Sequence, residues 1–215
     1  TLAAIPPSFA ILTSSDVGIS SVAVSWAGGI NPLTPPTSYQ LQISTDINFG
    51  VFIASETFLT NVSTVALSPN TSYYFKVRAY GRGGDTSAFN TAIATFTRSA
   101  SPGFTGFQMF TTSVTVFLVN NGNPVSSTTT YRVQVSTDGF TTIAFSSQGV
   151  NGSGAAAPTL TVLGLQANST YQIGIDALNF VNLASSRTVA ASTSTLAATP
   201  GAISFIGISG TSITV

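Results

Sequence analysis

The side chains that could carry chemistry are few in this chain of 215 residues. Histidine and cysteine are absent, which removes the usual general base, the thiol nucleophile and the nitrogen and sulfur ligands of transition metals. No two of the six acidic residues lie close in sequence: Asp16, Asp46, Glu56, Asp85, Asp138 and Asp176. A calcium site needs six or more oxygen ligands, and no Asp-x-Asp-x-Asp string supplies them. The sequence therefore predicts a protein that is not an enzyme and has no catalytic residues, metal or other cofactor.

Asp46 and Asp138 occupy equivalent positions of an internal repeat, each at the end of a Ser-Thr-Asp run. Short acidic side chains in turns accept hydrogen bonds from nearby backbone amides. We therefore interpret both residues as turn caps and not as calcium ligands or catalytic groups.

Charged residues make up 6% of the chain, against about 25% in typical soluble proteins, and six basic residues cancel six acidic ones. Without a basic stripe, nucleic acid is not expected as a partner. No run of apolar residues is long enough for a membrane-spanning helix, so membrane insertion is not expected either. Little self-repulsion opposes association between copies. The lack of cysteine leaves no disulfide framework, which does not exclude secretion.

A repeat of about 97 residues organises the chain, and Pro6, Pro102 and Pro200 mark its successive copies. We predict one domain over 1–98, a second over 99–196, and a partial third copy over 197–215 that holds only its first two strands. No basic segment followed by an apolar stretch opens the chain. Either a targeting segment has been removed, or the chain is an internal piece of a longer protein.

Apolar residues alternate with polar ones within each copy, as in strands with one buried face. Val22, Val24 and Trp26 point one way in one such run, and Phe75, Val77 and Ala79 do so in another. Turn residues separate the runs, and no stretch has helical spacing. Several short strands in each copy predict an all-β, two-sheet sandwich.

Residues 67–79 read L-S-P-N-T-S-Y-Y-F-K-V-R-A, and residues 165–177 read L-Q-A-N-S-T-Y-Q-I-G-I-D-A. The first segment resembles the corner and following strand of a fibronectin type III domain, L-x-P-x-T-x-Y-x-F-x-V-x-A. The resemblance implies tandem immunoglobulin-like sandwiches of about seven strands, with Tyr73 and Tyr171 as tyrosine corners. Ala167 replaces the corner proline in the second copy. The family also implies a set of core residues: Trp26, Tyr39, Leu67, Tyr131 and Leu165. Leu118 stands in place of Trp26 in the second copy, which predicts a smaller or differently packed core there.

Arg82 and Asp85 lie in the loop where some members of the family carry an integrin-binding Arg-Gly-Asp tripeptide. Here Gly83 and Gly84 separate them, so the tripeptide is not matched. We interpret the segment 81–85 as a hairpin turn, with a ligand role as the less favoured alternative.

Two further surface features leave alternatives open. Four Asn-x-Ser/Thr sequons are candidates for glycosylation, at Asn61, Asn70, Asn151 and Asn168. Several aromatic side chains are predicted to be outward-facing or partly exposed, which suits either sugar stacking or a subunit contact: Tyr74, Tyr80, Phe52, Phe58 and Phe89.

The partial third copy would leave five apolar side chains without a core: Ile203, Phe205, Ile208, Ile213 and Val215. The segment is a window on a longer repetitive chain, or a disordered tail, or a pair of assembly strands that completes a sheet in another molecule. The third alternative would build a head-to-tail filament.

These observations favour a non-catalytic structural module of an extracellular, microbial fibre, sheath or long surface protein. Its expected partners are copies of itself or adjacent repeats of the same long chain. The alternative is an adhesive or carbohydrate-binding accessory domain of a secreted enzyme or adhesin, with a glycan or matrix ligand.

Overall fold

The computed structural model describes residues 2–125, 129–150, 159–190, 192–202, 204, 207–208, 211 and 213–214. Every regular element within these residues is a β-strand, so the predicted all-β fold class is confirmed. No helix in these ranges is long and apolar enough to cross a membrane.

Repeat 1 contains six strands: β1 (Ala23–Ser25), β2 (Tyr39–Ser44), β3 (Ile53–Thr57), β4 (Asn61–Ser63), β5 (Ser72–Ala79) and β6 (Ile93–Phe96). One sheet pairs β1 with β4, and isolated bridges such as Phe9–Trp26 extend it. The facing sheet has the order β3-β2-β5-β6, with all neighbours antiparallel.

Repeat 2 contains eight strands: β7 (Gly103–Met109), β8 (Ser113–Val119), β9 (Thr130–Ser136), β10 (Phe145–Val150), β11 (Thr159–Leu163), β12 (Thr170–Leu178), β13 (Thr188–Val189) and β14 (Thr193–Ser194). Its sheets have the orders β11-β8-β7 and β10-β9-β12-β13, and β14 also pairs with β12. Repeat 2 therefore has the same two-sheet arrangement as repeat 1. Its β11-β8-β7 sheet is more regular than the β1-β4 sheet of repeat 1.

The core of repeat 1 follows the predicted alternation. Val22, Val24 and Trp26 are nearly fully buried, and so are the inward residues of β2 and β5. The Trp26 ring meets Phe9 and Tyr39 edge to face, with centroids 5.9 and 5.7 Å away. The strand predicted from the alternation of Val22, Val24 and Trp26 is regular only at 23–25. One reason is that the N–H of Val22 donates to the side chain of Thr64 at 2.9 Å.

The core of repeat 2 surrounds Tyr131, which is fully buried, and Leu118 lies where repeat 1 has its tryptophan. Phe104, Phe107 and Met109 of β7 pack against this core. In repeat 1 the opening segment contributes Phe9 to the buried core, with Ala3 and Leu12 packed against it. Leu67 and Leu165 are both buried in their own clusters.

Two further strands lie in the partial third copy. β15 (Gly207–Ile208) pairs antiparallel with β16 (Ile213–Thr214), and Ile208 is opposite Ile213. Three of the predicted assembly residues, Ile203, Phe205 and Val215, lie outside the described residues.

Candidate functional site

A tight corner precedes the longest strand of each repeat. Tyr73 is buried, and its hydroxyl oxygen accepts the backbone N–H of Ser68 at 2.9 Å. Tyr171 is buried in the same way and accepts the N–H of Gln166 at 3.0 Å. Each phenol thus ties the connection between the two sheets to the strand that follows it.

The corner asparagines share one backbone geometry. Asn70 and Asn168 have φ values of 43° and 51°, in the left-handed region that asparagine tolerates better than most residues. The N–H of Asn70 donates to the carbonyl oxygen of Arg98, and that of Asn168 to the carbonyl oxygen of Leu196, each at 3.1 Å. The corner is therefore joined to the end of its own repeat.

Thr97 locks this junction through its hydroxyl group. The hydroxyl donates to the carbonyl oxygen of Ser68 at 2.7 Å and accepts the N–H of Thr71 at 3.0 Å. Thr195 makes the equivalent two bonds in repeat 2. Both repeats therefore contain the same corner, held to the C-terminal residues of its own repeat by a threonine.

The corner of repeat 1 binds the near end of repeat 2. The Asn70 amide nitrogen donates to the Thr129 hydroxyl at 2.8 Å, and its oxygen accepts the N–H of Phe180 at 3.1 Å. In return, the amide nitrogen of Asn179 donates to the carbonyl oxygen of Thr97 at 3.1 Å. All of these polar side chains are at most 4% exposed. We call this set the asparagine joint.

Apolar contacts lie beside the asparagine joint. The rings of Phe96 and Phe180 stack across it, with centroids 4.9 Å apart and planes inclined by 23°. A groove next to the stack is lined by residues of both repeats: Leu12, Val17, Val181 and Leu183. The interface is therefore both polar and apolar.

The hydrogen bonds of the joint matter because their groups are removed from water. A typical hydrogen bond contributes about 0.5–1.5 kcal/mol net, and leaving a buried partner unsatisfied costs about 1–3 kcal/mol. An aromatic pair adds about 0.5–1.5 kcal/mol. Three such bonds and one ring pair, in which Phe180 is 62% exposed, link the two repeats across the joint.

The linker that crosses the joint is packed and held on both sides. The Arg98 guanidinium donates to the carbonyl oxygens of Val17 and Ser14 at 2.7 and 2.6 Å, and Ser99 is fully buried. Beyond it, the Asn123 amide forms a pair of hydrogen bonds with the backbone of Ala100, at 2.7 and 2.9 Å. Such a linker differs from a solvated flexible tether.

An equivalent clamp lies at the start of repeat 1. The amide of Asn31 accepts the N–H of Ala4 at 2.8 Å and donates to its carbonyl oxygen at 2.9 Å. Asn31 and Asn123 are both buried. Each repeat therefore uses one of its own amides to hold the chain that enters it.

Asp46 and Asp138 bind backbone amides in their turns. The Asp46 carboxylate accepts the N–H groups of Asn48 and Gly50. The Asp138 carboxylate accepts the N–H and the hydroxyl of Thr142. These bonds favour the ionised form, so they lower the pKa of Asp46 and lower that of Asp138 to about 2.

The segment 81–85 forms a closed turn. The N–H of Gly81 donates to the carbonyl oxygen of Asp85 at 2.6 Å, and Gly84 has a φ of 88°. Arg82 is exposed and donates to the carbonyl oxygen of Pro35 at 3.2 Å. The structure brings Arg82 and Asp85 into one hairpin without assigning them a ligand.

The outer face of the β3-β2-β5-β6 sheet carries cations among aromatic rings. The ammonium group of Lys76 lies 3.9 Å from the ring centroid of Phe49 and 4.4 Å from that of Phe89. Burial lowers the pKa of Lys76, and the charge of Arg78 lowers it further. Repeat 2 has Gly174 at the equivalent position, and Arg187 lies over Phe140 there instead.

Tyr80 connects the other polar groups of this outer face. Its hydroxyl accepts a hydrogen bond from Gln40 at 2.8 Å and donates to Glu56 at 2.9 Å, while Arg78 donates to Gln40 at 2.9 Å. Tyr74 and Phe89 are half-buried, and Phe52 and Phe58 are exposed. Of the aromatic side chains predicted at the surface, Tyr80 is thus held by hydrogen bonds, whereas Phe52 and Phe58 are open to solvent.

No group of three or more acidic side chains that could hold a metal ion occurs within the described part of the chain. Of the four sequons, Asn61 and Asn168 are exposed, Asn70 is buried in the asparagine joint, and Asn151 lies outside the described residues.

Comparisons with known proteins agree with this geometry. The sequence model of the fibronectin type III domain matches residues 6–95. A two-domain fibronectin type III segment of chicken tenascin is similar in structure over 88% of this chain and 99% of its own, with 16% sequence identity and a TM-score of 0.54. The FN1–FN3 domains of chicken CNTN1 align over 86% of this chain and 65% of theirs, at 16% identity and a TM-score of 0.41. A search of curated proteins found no match.

Residues 6–95 therefore match the fibronectin type III domain, and the two repeats share the fold of the tandem tenascin segment. The predicted resemblance is confirmed. Domains of the fibronectin type III family typically serve as structural or adhesive modules.

Sequence reasoning did not identify the asparagine joint. The sequence marks Asn70 only as a sequon and does not mark Asn179 at all. One signal was present: repeat 2 has Asn179 and Phe180 where repeat 1 has Gly81 and Arg82. A difference at the end that faces the preceding repeat is what an interface between repeats would produce.

Proposed function

We propose that the chain is a non-catalytic spacer whose two sandwiches are held in a fixed relative orientation by the asparagine joint. The observation that carries this proposal is a set of hydrogen bonds in both directions across the joint: Asn70 bonds to Thr129 and Phe180 of repeat 2, and Asn179 bonds to Thr97 of repeat 1. Both asparagine side chains are buried. A spacer that only separated two ends would not require buried amides at that place. A fibre, sheath or long surface protein needs such a fixed orientation so that successive domains keep a constant arrangement along its length.

The extracellular setting is part of the same proposal. Neighbours such as chicken tenascin carry this module in tandem. A surface with few charges and an equal number of each sign supports close packing between chains. Adjacent repeats of a longer chain, or further copies of this chain, are the partners proposed for such an assembly.

The orientation can be tested by loosening the joint without unfolding either repeat. The variant Asn179→Ala with Phe180→Ala removes one buried amide and the stacked ring. We expect the two repeats to tumble more independently, as measured by ¹⁵N relaxation and residual dipolar couplings, while Trp26 fluorescence reports an intact repeat 1.

Asn168→Ala is the matched control, because it changes a corner asparagine that is exposed. It should leave the coupling between the repeats unchanged. Independent tumbling of the repeats in the unmodified chain would contradict the proposed function.

Adhesion is the second candidate function, and the outer face of repeat 1 favours it. Lys76 and Arg78 lie among Phe49, Tyr80 and Phe89, a combination of cations and rings that suits an acidic glycan or matrix ligand. A screen of neutral and acidic glycans, with Phe89→Ala as the test variant and Phe180→Ala as the control, separates the two candidates. Binding that Phe89→Ala abolishes supports adhesion, and no binding supports a pure spacer.

Head-to-tail assembly through the third copy remains a further proposal. Ile208 and Ile213 lie in strands that pair with each other, so this two-stranded unit would have to add to a free sheet edge of another molecule. A chain ending at Leu196 should then lose polymerisation, as measured by size-exclusion chromatography and electron microscopy. Undiminished assembly of the shortened chain would overturn it.

A further inference from the structure

The edge strand β3 of repeat 1 is exposed on both of its faces. Its pattern of burial is exposed at Ile53, Ala54, Ser55 and Glu56, and half-buried only at Thr57. The equivalent strand β10 of repeat 2 alternates between half-buried and exposed residues, and its Phe145 packs against the core. The outer edge strand of repeat 1 therefore covers its own sandwich poorly.

The segment around β3 is apolar as well as exposed. Ile53 is 64% exposed, and the flanking residues are open to a similar degree: Val51, Phe52, Phe58 and Leu59. Glu56 is the only charged residue between 51 and 59, and the Tyr80 hydroxyl already donates to it. We call residues 51–59 the open edge.

Three other edge strands, β7, β6 and β10, have the protection that natural proteins give to unpaired strands. β7 contains an irregularity between Phe104 and Gly106, and Phe96 of β6 is covered by Phe180 across the joint. β10 presents serine and glutamine to solvent. The open edge has no proline, lysine or bulge, and β3 pairs with β2 along one side alone.

We propose that the open edge is a pairing site for β3 of a second copy of this chain, in an antiparallel arrangement with a two-fold axis at Ser55. This places Ile53 opposite Thr57 of the second copy and Ala54 opposite Glu56. Phe52 and Phe58, just outside the strand, then come near each other at both ends of the pair. Like apolar groups meet, and the two carboxylates are staggered instead of directly opposed.

A second copy fits this edge for two reasons. A two-fold interface uses the same surface twice, so the open edge, which is apolar at both ends and has the small Ser55 at its centre, is complementary to itself. The equal number of acidic and basic residues leaves little long-range repulsion between copies. The contact is one strand wide, which predicts a weak dimer with a dissociation constant in the micromolar to millimolar range.

The pairing is independent of the asparagine joint, because it links two chains side by side through repeat 1. It also differs from head-to-tail assembly through the third copy. Failure of either proposal leaves this one standing, and its own failure leaves them untouched.

Sedimentation of the full chain over a range of concentrations tests the proposal. The unmodified chain should shift from monomer to dimer as concentration rises. Ile53→Lys should weaken association by about tenfold or more, because the two-fold axis places both new charges in one interface. Val150→Lys, at an exposed apolar position of β10, should leave the dimer intact.

The register is tested by single cysteines, since the chain has none of its own. Ser55→Cys should form a covalent dimer on mild oxidation, and Ser146→Cys on the exposed side of β10 should not. Trp26 fluorescence verifies that repeat 1, which carries the proposed pairing site, is folded in each variant. A chain that stays monomeric at millimolar concentration overturns the proposal, as does a dimer that Ile53→Lys leaves unchanged or that is lost when the chain ends at Leu196. A dimer that Ser55→Cys does not trap overturns the two-fold axis at that residue.

Discussion

Asn70 and Asn168 occupy the same corner of two consecutive sandwiches, and they differ in what covers them. Asn70 is 3% exposed and bonds to Thr129 and Phe180 of the next repeat, whereas Asn168 is exposed. Backbone geometry, the threonine lock and the tyrosine are the same in both. Local sequence therefore builds the corner, and residues of the following repeat decide whether the corner becomes an interface.

The two repeats also differ on the outer face of the larger sheet. Arg132 and Asp176 form a two-point ion pair in repeat 2, with the shorter contact at 2.7 Å. The equivalent cross-strand positions in repeat 1 hold Gln40 and Arg78, joined by one hydrogen bond of 2.9 Å. The position that holds the buried acid Asp176 in repeat 2 thus holds the partly exposed cation Arg78 in repeat 1.

The largest expected effect tests this second difference. Arg132→Ala leaves the carboxylate of Asp176, whose side chain is 4% exposed, without its cation. We expect repeat 2 to lose about 2–4 kcal/mol of unfolding free energy, because an unpaired charge is left in a poorly solvated place. Gln40→Ala should cost repeat 1 about 1 kcal/mol or less. Hydrogen exchange resolved by residue measures both, and equal losses would contradict the distinction.

The next effect isolates the asparagine joint. Asn70→Ala and Asn168→Ala both place alanine at a positive φ, so both should pay the same backbone penalty. Asn70→Ala also removes two buried hydrogen bonds to repeat 2. We expect it to cost about 1–3 kcal/mol more than Asn168→Ala in denaturant unfolding. If the two variants lose the same amount, the joint contributes nothing to stability.

A smaller effect concerns the turn before each corner. Pro69 and Ala167 hold equivalent places, and the carbonyl oxygen of each accepts the hydroxyl of the residue two positions later. Ala167→Pro should stabilise repeat 2 by about 0.4–1 kcal/mol, because proline restricts the unfolded chain in a conformation that repeat 1 already shows to be compatible. Pro69→Ala should destabilise repeat 1 by a similar amount. A destabilising Ala167→Pro, seen in the unfolding midpoint, would show that the two turns differ.

The smallest effect is a dependence on acid. The pKa of Asp138 is about 2 in the folded chain, below the ordinary value of 3.8. The stabilisation from this lowered pKa is therefore present above about pH 4 and is lost as the pH falls toward about 2. Asp138→Asn should flatten the stability curve of repeat 2 in that window and leave repeat 1 unchanged. The carboxyl carbon shift of Asp138, followed by NMR, checks the pKa directly, and a midpoint near 3.8 would refute the turn-cap account.

Sequence alone was sufficient for the features that depend on short-range pattern. The alternation of Phe75, Val77 and Ala79 identifies a half-buried strand, and all three are fully buried. The short strand β1 was less predictable, because the side chain of Thr64, 42 residues away, takes the place of a ladder bond at Val22.

The asparagine joint was not predictable from pattern. Asn70 and Phe180 are 110 residues apart, and their contact depends on how the two repeats are placed. Periodicity reports which face of a strand is buried within one sandwich. It carries no information about the end of a sandwich, where loops from different repeats meet.

The clamps formed by Asn31 and Asn123 bear on how the chain would respond to a pulling force. Each clamp fixes the incoming backbone to a loop of the same sandwich through two short hydrogen bonds. Tension entering at Ala4 or Ala100 would therefore reach these amides before it reached the first strand. Under stretching, the hydrogen bonds of the clamp would carry the load before those of the sheet. They would break first, while the sandwich behind them stays folded.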